Sequence, residues 1–394
     1  LKPFHYDLNK LARRSWHRLP LMDRWLAFEL LGPLLFGIAA FTAVSLSVGV
    51  VFDLVRRVAE SGLPLLAAIQ VLGLRLPGFL VLSFPMATLM ATLLAYSRLS
   101  ANSELTALRS VGVSTTRMVV AALVVSILMS MITFMFNDLI VPKANLQASD
   151  TLNLALGKAI AGEKGSNIIY SRFSRRLDKE NETGSRKYLS QLFYAGQFEK
   201  GEMKEVTILD FTRENNTQIL TAERGLWNEA KGMWEFRNGR VVVIDANSDT
   251  TTSARFNRYL YPLDQGPLKL ADLPKDAASM TVAEAMRAER LVSDAGDQKE
   301  ARRLRLRIQE KFAFPAICLV FGLIGSSLGV RPDARTSRSQ GFGISVVLIF
   351  SYYLMSFIFS SLGVKGTLSP ILGAWLPVLI GLGCGLLLLR QASR

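Results

Sequence analysis

The chain has 394 residues, half of them hydrophobic, with a formal net charge of +14. Its apolar residues gather in long runs at both ends while the middle is charged and alternating. That pattern excludes a soluble basic protein holding nucleic acid on a folded face. The two cysteines, Cys318 and Cys384, fall inside apolar runs, and the two histidines, His5 and His17, sit in the N-terminal flank. No His–Cys–carboxylate cluster is present, so neither a metal site, a disulfide nor a cofactor is expected.

Residues Leu1–Arg24 are basic and are expected on the cytoplasmic side. A cleavable signal is not expected, because the first apolar run is too long and no small-residue cleavage site follows it. A bilayer core takes about 20 apolar residues per helix. The first span is predicted over about Trp25–Val51, with Glu29 near its cytoplasmic end and a Gly32-Pro33 kink that a membrane helix tolerates. It exits at FDLVRRV, carrying Arg56 and Arg57 to the far surface. The second span, about Leu63–Ala95, is interrupted by Pro64, Pro77 and Pro85 and holds Arg75 in its outer part. A charge inside a membrane faces a cavity or a partner. Next, SRLSANSELTALRSVGVSTTR reads as a cytoplasmic connector with a short helix near 99–111. Asn102 or Ser103 is its candidate cap, Glu104 and Arg109 suit its dipole, Leu99, Leu105 and Leu108 share a face, and Gly112 stops it. The third span is predicted over Met118–Ile140.

From Pro142 to about Asp276 short alternating segments recur, among them IIYSRF, EVTILDF and MWEFRNGRVVVID. They predict an antiparallel β domain on the exported side, a jelly roll or open sandwich. The Asn238-Gly239 pair reads as a hairpin turn. Phe193, Ile208, Leu209, Phe211, Trp227, Trp234 and Phe236 form the domain's apolar interior, either an ordinary core or a lipid groove. A charged helix broken near Gly296 then leads into a fourth span at about Phe312. A basic loop (Arg331, Arg335 and Arg338 against Asp333) precedes spans at Phe342–Leu362 and about Ile371–Leu389. The expected fold class is thus an α-helical polytopic membrane protein with six transmembrane helices and an inserted, jelly-roll-like antiparallel β domain, both termini being cytoplasmic. Its parts are expected at 1–141, 142–278 and 279–394. Catalytic motifs are missing. The nearest approach to a phosphate-binding loop, Gly157 to Gly162, continues Glu163-Lys164 where the motif needs Lys then Ser or Thr. If the protein does work, a partner energises it.

Three blocks resemble the LptF/LptG family, the permeases of the lipopolysaccharide export ABC transporter. They are ELLGPLLFG…FDLVRRV, SELTALRSVGVS, and KFAFPAICLVFGLIGSSLGV…GFGISVVLIFSYY…LGVKGTLSPILGAWLPV. With the β insertion they cover nearly the whole chain, although the β region matches in pattern more than in residues. The resemblance implies an inner-membrane subunit paired with a second permease, either a paralogue or a second copy. It also implies a cytoplasmic ATPase dimer similar to LptB, and LptC-like and LptA-like bridge proteins that receive lipopolysaccharide from a periplasmic β domain. By that resemblance Arg56 and Arg57 match a basic pair at the exported rim, with Arg75 beside them. An Arg pair favours bidentate phosphate contacts. The alternative is that the two simply snorkel to headgroups. Glu104–Gly112 resembles the helix that couples to the ATPase, with Glu104 and Arg109 in polar contacts and Leu105 and Leu108 filling a groove. Arg307, Glu310 and Lys311 either pair at helical spacing or face the cavity rim. A scaffold that relays a signal without moving lipid, and an exporter of another amphiphile, share the same architecture.

Overall fold

Among the described residues, six helices are long and apolar enough to cross a bilayer: Leu21–Ser61, Leu65–Ala101, Thr115–Ala155, Gln298–Gly329, Gly341–Lys365 and Pro370–Ser393. The computed structural model describes residues 20–156, 166–177, 185–199, 201–213, 216–245, 250–274, 276–330 and 338–393. The expectations for the N-terminal flank, the segment 157–165 and the basic loop 331–337 lie outside them. The first span is α1 (Leu21–Leu46), which passes through a π-helical turn at Ser47–Val51 into α2 (Phe52–Ser61). The second is α3 (Leu65–Ala101), and the short helix α4 (Glu104–Ser110) follows. The third is α5 (Thr115–Met135), continued by a π turn at Phe136–Ile140 into α6 (Val141–Ala155). At 41 residues each, the first and third spans are about 60 Å long, twice a bilayer core. Pro142, expected to open the β region, instead lies in the first turn of α6. It lies just after the π turn, the kind of local adjustment by which a continuous membrane helix accommodates a proline.

After the sheet come α7 (Gly266–Ala271), a 3₁₀ turn at Ala277–Ser279, α8 (Val282–Asp294) and α9 (Gln298–Gly329). The last two spans are α10 (Arg338–Lys365) and α11 (Pro370–Ser393). α9 is the axis of the bundle: 72% of its most apolar stretch is buried, against 17–33% for the other five. Small residues make that burial possible. A methyl group on Gly322 would overlap Ser126 of α5, one on Gly325 would overlap Thr92 of α3, and one on Gly329 would come within 2.6 Å of Tyr96 Cβ. Between membrane helices such close backbone approach replaces the hydrophobic drive that lipid removes. At the end of the bundle away from the sheet, Arg117 of α5 grips Asp23 of α1 through two 2.7 Å bonds, and Arg98 of α3 pairs with Glu29 of α1.

The inserted domain is one antiparallel sheet of β1 (Ser166–Leu177), β2 (Ser185–Glu199), β3 (Glu202–Arg213), β4 (Asn216–Asn228), β5 (Met233–Asp245) and β6 (Thr250–Tyr261), in sequence order. It is a meander, without a Greek-key crossover among the described residues. Its layers come from bending. In all six strands the ladder skips one row, made of Asn167, Gly196, Glu205, Glu223, Asn238 and Asn257. Within that row Asn167, Glu205 and Asn238 have φ of 44°, 54° and 52°. A left-handed residue inside a strand bends it and sharpens its twist. The Asn238-Gly239 hairpin expectation is corrected here. Asn238 does take the positive φ, but inside β5, and the chain reverses at Glu229–Gly232. The pair specifies a local backbone conformation, and the neighbouring strands decide whether the chain turns.

Bending along this crease brings distant strands together. The rings of Phe193 on β2 and Trp234 on β5 lie 5.7 Å apart. In a flat sheet those strands would be about 14 Å apart. Gln191 of β2 donates to Tyr261 Oη of β6 at 2.9 Å. Phe193, Trp234 and Phe236 are fully buried, so at this level the interior is a filled core. Leu209 and Phe211, expected in it, alternate with buried Ile208 and stay half-buried on the other face. Within the core, burial alone would raise the Asp210 carboxyl. Hydrogen bonds from Thr212, Tyr261 and Gln191 outweigh it and hold the carboxyl below its ordinary range.

Two outcomes follow from this packing. Gly325→Leu should cost about 2–3 kcal/mol by overfilling the α9–α3 contact, whereas Gly343→Leu, with nothing within 4 Å, should be neutral. Thermal unfolding in detergent reads both. Asp210 has a folded pKa below its unfolded value, so its stabilisation is full above about pH 4 and is lost as pH falls through the folded pKa. An acid series of melts should show that loss in the wild type, and Asp210→Asn should flatten it.

Candidate functional site

The sheet-side end of α9 reads QKEARRLRLRIQEKFAF, a charged stretch continuous with the apolar span. Two recesses meet along it. One, of 570 Å³, lies between α9, α10 and α11, and its deeper lining is apolar and aromatic, including Ile317, Tyr352, Tyr353 and Val378. The other, of 510 Å³, lies between α3, the π turn of the third span, the 3₁₀ turn and α9, and includes Arg75, Asn137 and Lys311. Arg303, Arg307, Glu310 and Phe314 line both and form the shared wall. An apolar pocket under a cationic mouth can hold an amphiphile whose headgroup is anionic.

The side chains on it are ordered by helical spacing and by neighbours. Arg307 pairs with Glu310 at 3.0 Å, three residues on, and the other oxygen of Glu310 accepts from Ser360 of α10 at 2.7 Å. Arg303 pairs more loosely with Glu300 at 3.5 Å. Arg75 makes no hydrogen bond or ion pair among the described residues and is available at the wall of its recess. Tyr352 packs edge-on against Phe321 at 5.1 Å. Tyr353 Oη is buried without a hydrogen-bond partner among the described residues.

Lys311 lines the second recess, but its charge is engaged by its neighbours. It is 8% exposed, and its Nζ donates to the carbonyls of Asn137 at 3.3 Å and Met280 at 2.5 Å, with Asp138 at 3.7 Å. The Asp138 carboxylate in turn accepts the Val282 N–H at 2.7 Å, at the start of α8. Buried Lys311 and half-buried Asp138 therefore clamp α9, the π turn and the segment leading from the sheet. A buried cation is retained only when its charge and donors are met this way. Close by, Phe173 N–H of β1 donates to the Ala295 carbonyl at 2.8 Å, tying the sheet to the turn between α8 and α9.

Arg56 and Arg57 are not brought to Arg75. They lie on α2, 73% and 36% exposed, paired within the helix to Glu60 at 2.9 Å and Asp53 at 2.8 Å, and they line neither recess. Arg75 meets Arg303 and Arg307 instead. Sequence reasoning missed Arg303, although it stands four residues before Arg307 on one helix face. It also missed Asp138 and Ser360, whose approach to α9 has no local signal.

At the opposite end of the bundle, α4 differs from expectation in three ways. Leu105 is 1% exposed and Leu108 half-buried, both packed with Tyr96, Leu99, Met118 and Val330, so Leu105 is not free to fill a partner's groove. Ser103 is left-handed and does not cap; instead Asn102 Nδ2 donates to Glu104 at 3.0 Å. Arg109 turns inward and donates to the Val330 carbonyl, the C-terminal cap of α9, at 2.9 Å. Gly112, at φ 91°, ends the helix with its N–H on the Arg109 carbonyl. The exposed face is Thr106, Ala107, Ser110, Val111 and Gly112.

The clamp is testable by a double-mutant cycle. Lys311→Met and Asp138→Asn should each cost about 1–3 kcal/mol, and the pair should cost clearly less than their sum. Thermal unfolding of the four proteins checks it.

A sequence profile described as Lipopolysaccharide export system permease LptF/LptG matches residues 24–391. No curated protein matches the chain.

Proposed function

The chain belongs to the LptF/LptG family of lipopolysaccharide export permeases, and on that premise we propose that it is the membrane subunit of an ATP-driven exporter. A cytoplasmic ABC ATPase dimer similar to LptB docks at α4, and a second permease of the family completes the cavity. Lipopolysaccharide enters from the outer leaflet of the inner membrane, and LptC-like and LptA-like proteins receive it from the β domain in the periplasm. In this reading both termini are cytoplasmic, consistent with Arg98 and Arg117 flanking α4 and Arg109 within it.

The observation that carries the proposal is α9. At one end it is held by Arg109 of α4, and at the other it meets the clamp and the tie to β1. Its 32 residues make a rod about 48 Å long, buried along the bundle. A push on α4 therefore reaches the wall between the two recesses along one continuous helix, and the base of the sheet through the short turn at 295–297. Arg75, Arg303 and Arg307 offer cations to the phosphates of the lipid, and the apolar recess beneath takes acyl chain. Arg56 and Arg57, exposed on α2, meet headgroups at the exported surface. Glu104 and the small exposed face of α4 make the ATPase contact, and Arg109 passes the movement on.

The test is co-purification of the tagged chain in mild detergent, with every stoichiometric partner identified by mass. A cytoplasmic ABC ATPase should come with it, and its absence in several detergents would sink the reading. The same assay separates the two faces of α4. Val111→Arg, at a position 83% exposed, should deplete the ATPase at unchanged melting temperature. Leu105→Ala should instead lower the melting temperature, by about 2–5 kcal/mol of stability.

A further inference from the structure

The crease that bends the sheet also opens a recess on its outer face, away from both membrane recesses. It has a volume of 710 Å³ and includes Glu205, Glu223, Asn238 and Asn257 of the skipped row. These four follow one another across β3, β4, β5 and β6. Two residues beyond the crease row, Arg240 of β5 lies directly opposite Arg255 of β6, and both line the recess. One end of the recess is thus acidic and the other basic.

The basic end is uncompensated. Arg240 and Arg255 are exposed, and neither side chain makes a hydrogen bond or ion pair among the described residues. Like charges directly opposite each other on a ladder repel, with Cβ atoms about 5 Å apart. An anion between them relieves that repulsion, and two guanidinium forks match the oxygens of a phosphoryl group. At the other end Asn238 Nδ2 donates to the Glu223 carboxylate at 3.3 Å, which turns it toward the recess and leaves its remaining lone pairs for a donor. Adjacent strands are about 4.8 Å apart, so a ligand lying across β4 to β6 needs its two charges only a few ångströms apart. The floor is built from residues in an unfavourable backbone region, Glu205 at φ 54° and Asn238 at φ 52°. Such strain gathers at binding sites.

We infer that this recess binds a compact bipolar headgroup, with a phosphoryl group between Arg240 and Arg255 and an amine or hydroxyls toward Glu223 and Asn238. Two lipid sources share that chemistry: the amino-sugar phosphate of a lipopolysaccharide and the phosphoethanolamine of a phospholipid. The site stands on its own residues, and only the amino-sugar source rests on the export reading.

Calorimetric titration of the full chain in a maltoside detergent tests it, with glucosamine 1-phosphate, O-phosphoethanolamine, inorganic phosphate and ethanolamine as probes. Both bipolar probes should bind more tightly than inorganic phosphate, and ethanolamine alone should not bind. Arg240→Ala and Arg255→Ala should each weaken the bipolar probes about tenfold or more at unchanged melting temperature, and Arg240→Lys should recover part of the loss. Glu223→Gln should weaken the bipolar probes and leave inorganic phosphate unaffected. A preference for glucosamine 1-phosphate assigns the saccharide source, and the reverse assigns the phospholipid. No binding by either bipolar probe, binding indifferent to both arginines, or inorganic phosphate binding as tightly as the bipolar probes would each overturn the site. ATPase co-purification, read in parallel, is independent of these outcomes, so the site can fail while the export reading stands.

Discussion

The backbone of α9 runs close enough to α3 and α5 that a single added methyl at Gly322 or Gly325 has nowhere to go. Much of the rest depends on that contact. In a bilayer, burying one apolar surface against another gains little over burying it in lipid, so association rests on close packing and on hydrogen bonds. Small residues on α9 supply the packing. Tyr96, whose hydroxyl donates to the Met118 carbonyl at 2.7 Å, supplies a bond beside it. Once α9 is locked as the axis, the other spans take their places around it, with much of their outer apolar surface left exposed, such as Phe36 of α1 and Phe350 of α10.

Polar contacts then appear where the axis ends. Arg109 caps the far carbonyl of α9, and Lys311 with Asp138 clamps its near portion to the π turn and to the start of α8. Both are long side chains reaching main-chain carbonyls, a way of holding an element by its backbone whatever side chains it carries. The arrangement places the short helix α4 and the clamp beside the sheet's attachment near the two ends of one helix. It also explains why the charges of the QKEARRLRLRIQEK stretch divide so unevenly. Lys311 is consumed in structure, while Arg303, Arg307 and Glu310 stay at the wall of the recesses.

The sheet achieves two layers by a different device. A row skipped in every strand lets a simple meander fold over itself, so that Trp234 reaches Phe193 and Tyr261 reaches Asp210 and Gln191. The inner side becomes a filled aromatic core, and the outer side gains a polar recess. Local backbone conformation at three non-glycine residues thus sets both the core and a surface feature.

Six spans, an inserted antiparallel domain, the short helix between the second and third spans and its glycine stop were all legible in the residues, because hydropathy runs, strand alternation and turn glycines are local properties of the chain. So was the Arg307–Glu310 pair, which needs only helical spacing. Other features were decided by the tertiary structure alone. Leu105 and Lys311 looked like contact residues and proved to be buried, since nothing local distinguishes an apolar face turned inward from one awaiting a partner. Arg75 found Arg303 and Arg307 in place of Arg56 and Arg57 because α9, distant in sequence, packs beside α3. The Asn238-Gly239 pair announced a left-handed backbone correctly, but the strands on either side made it a crease where a turn was expected. What the sequence by itself determined is which segments lie in lipid and which alternate as strands, through the free energy of transfer and side-chain periodicity. Which charges meet, which are buried and where the sheet bends depend on contacts between residues far apart in the chain, and only the folded packing brings those together.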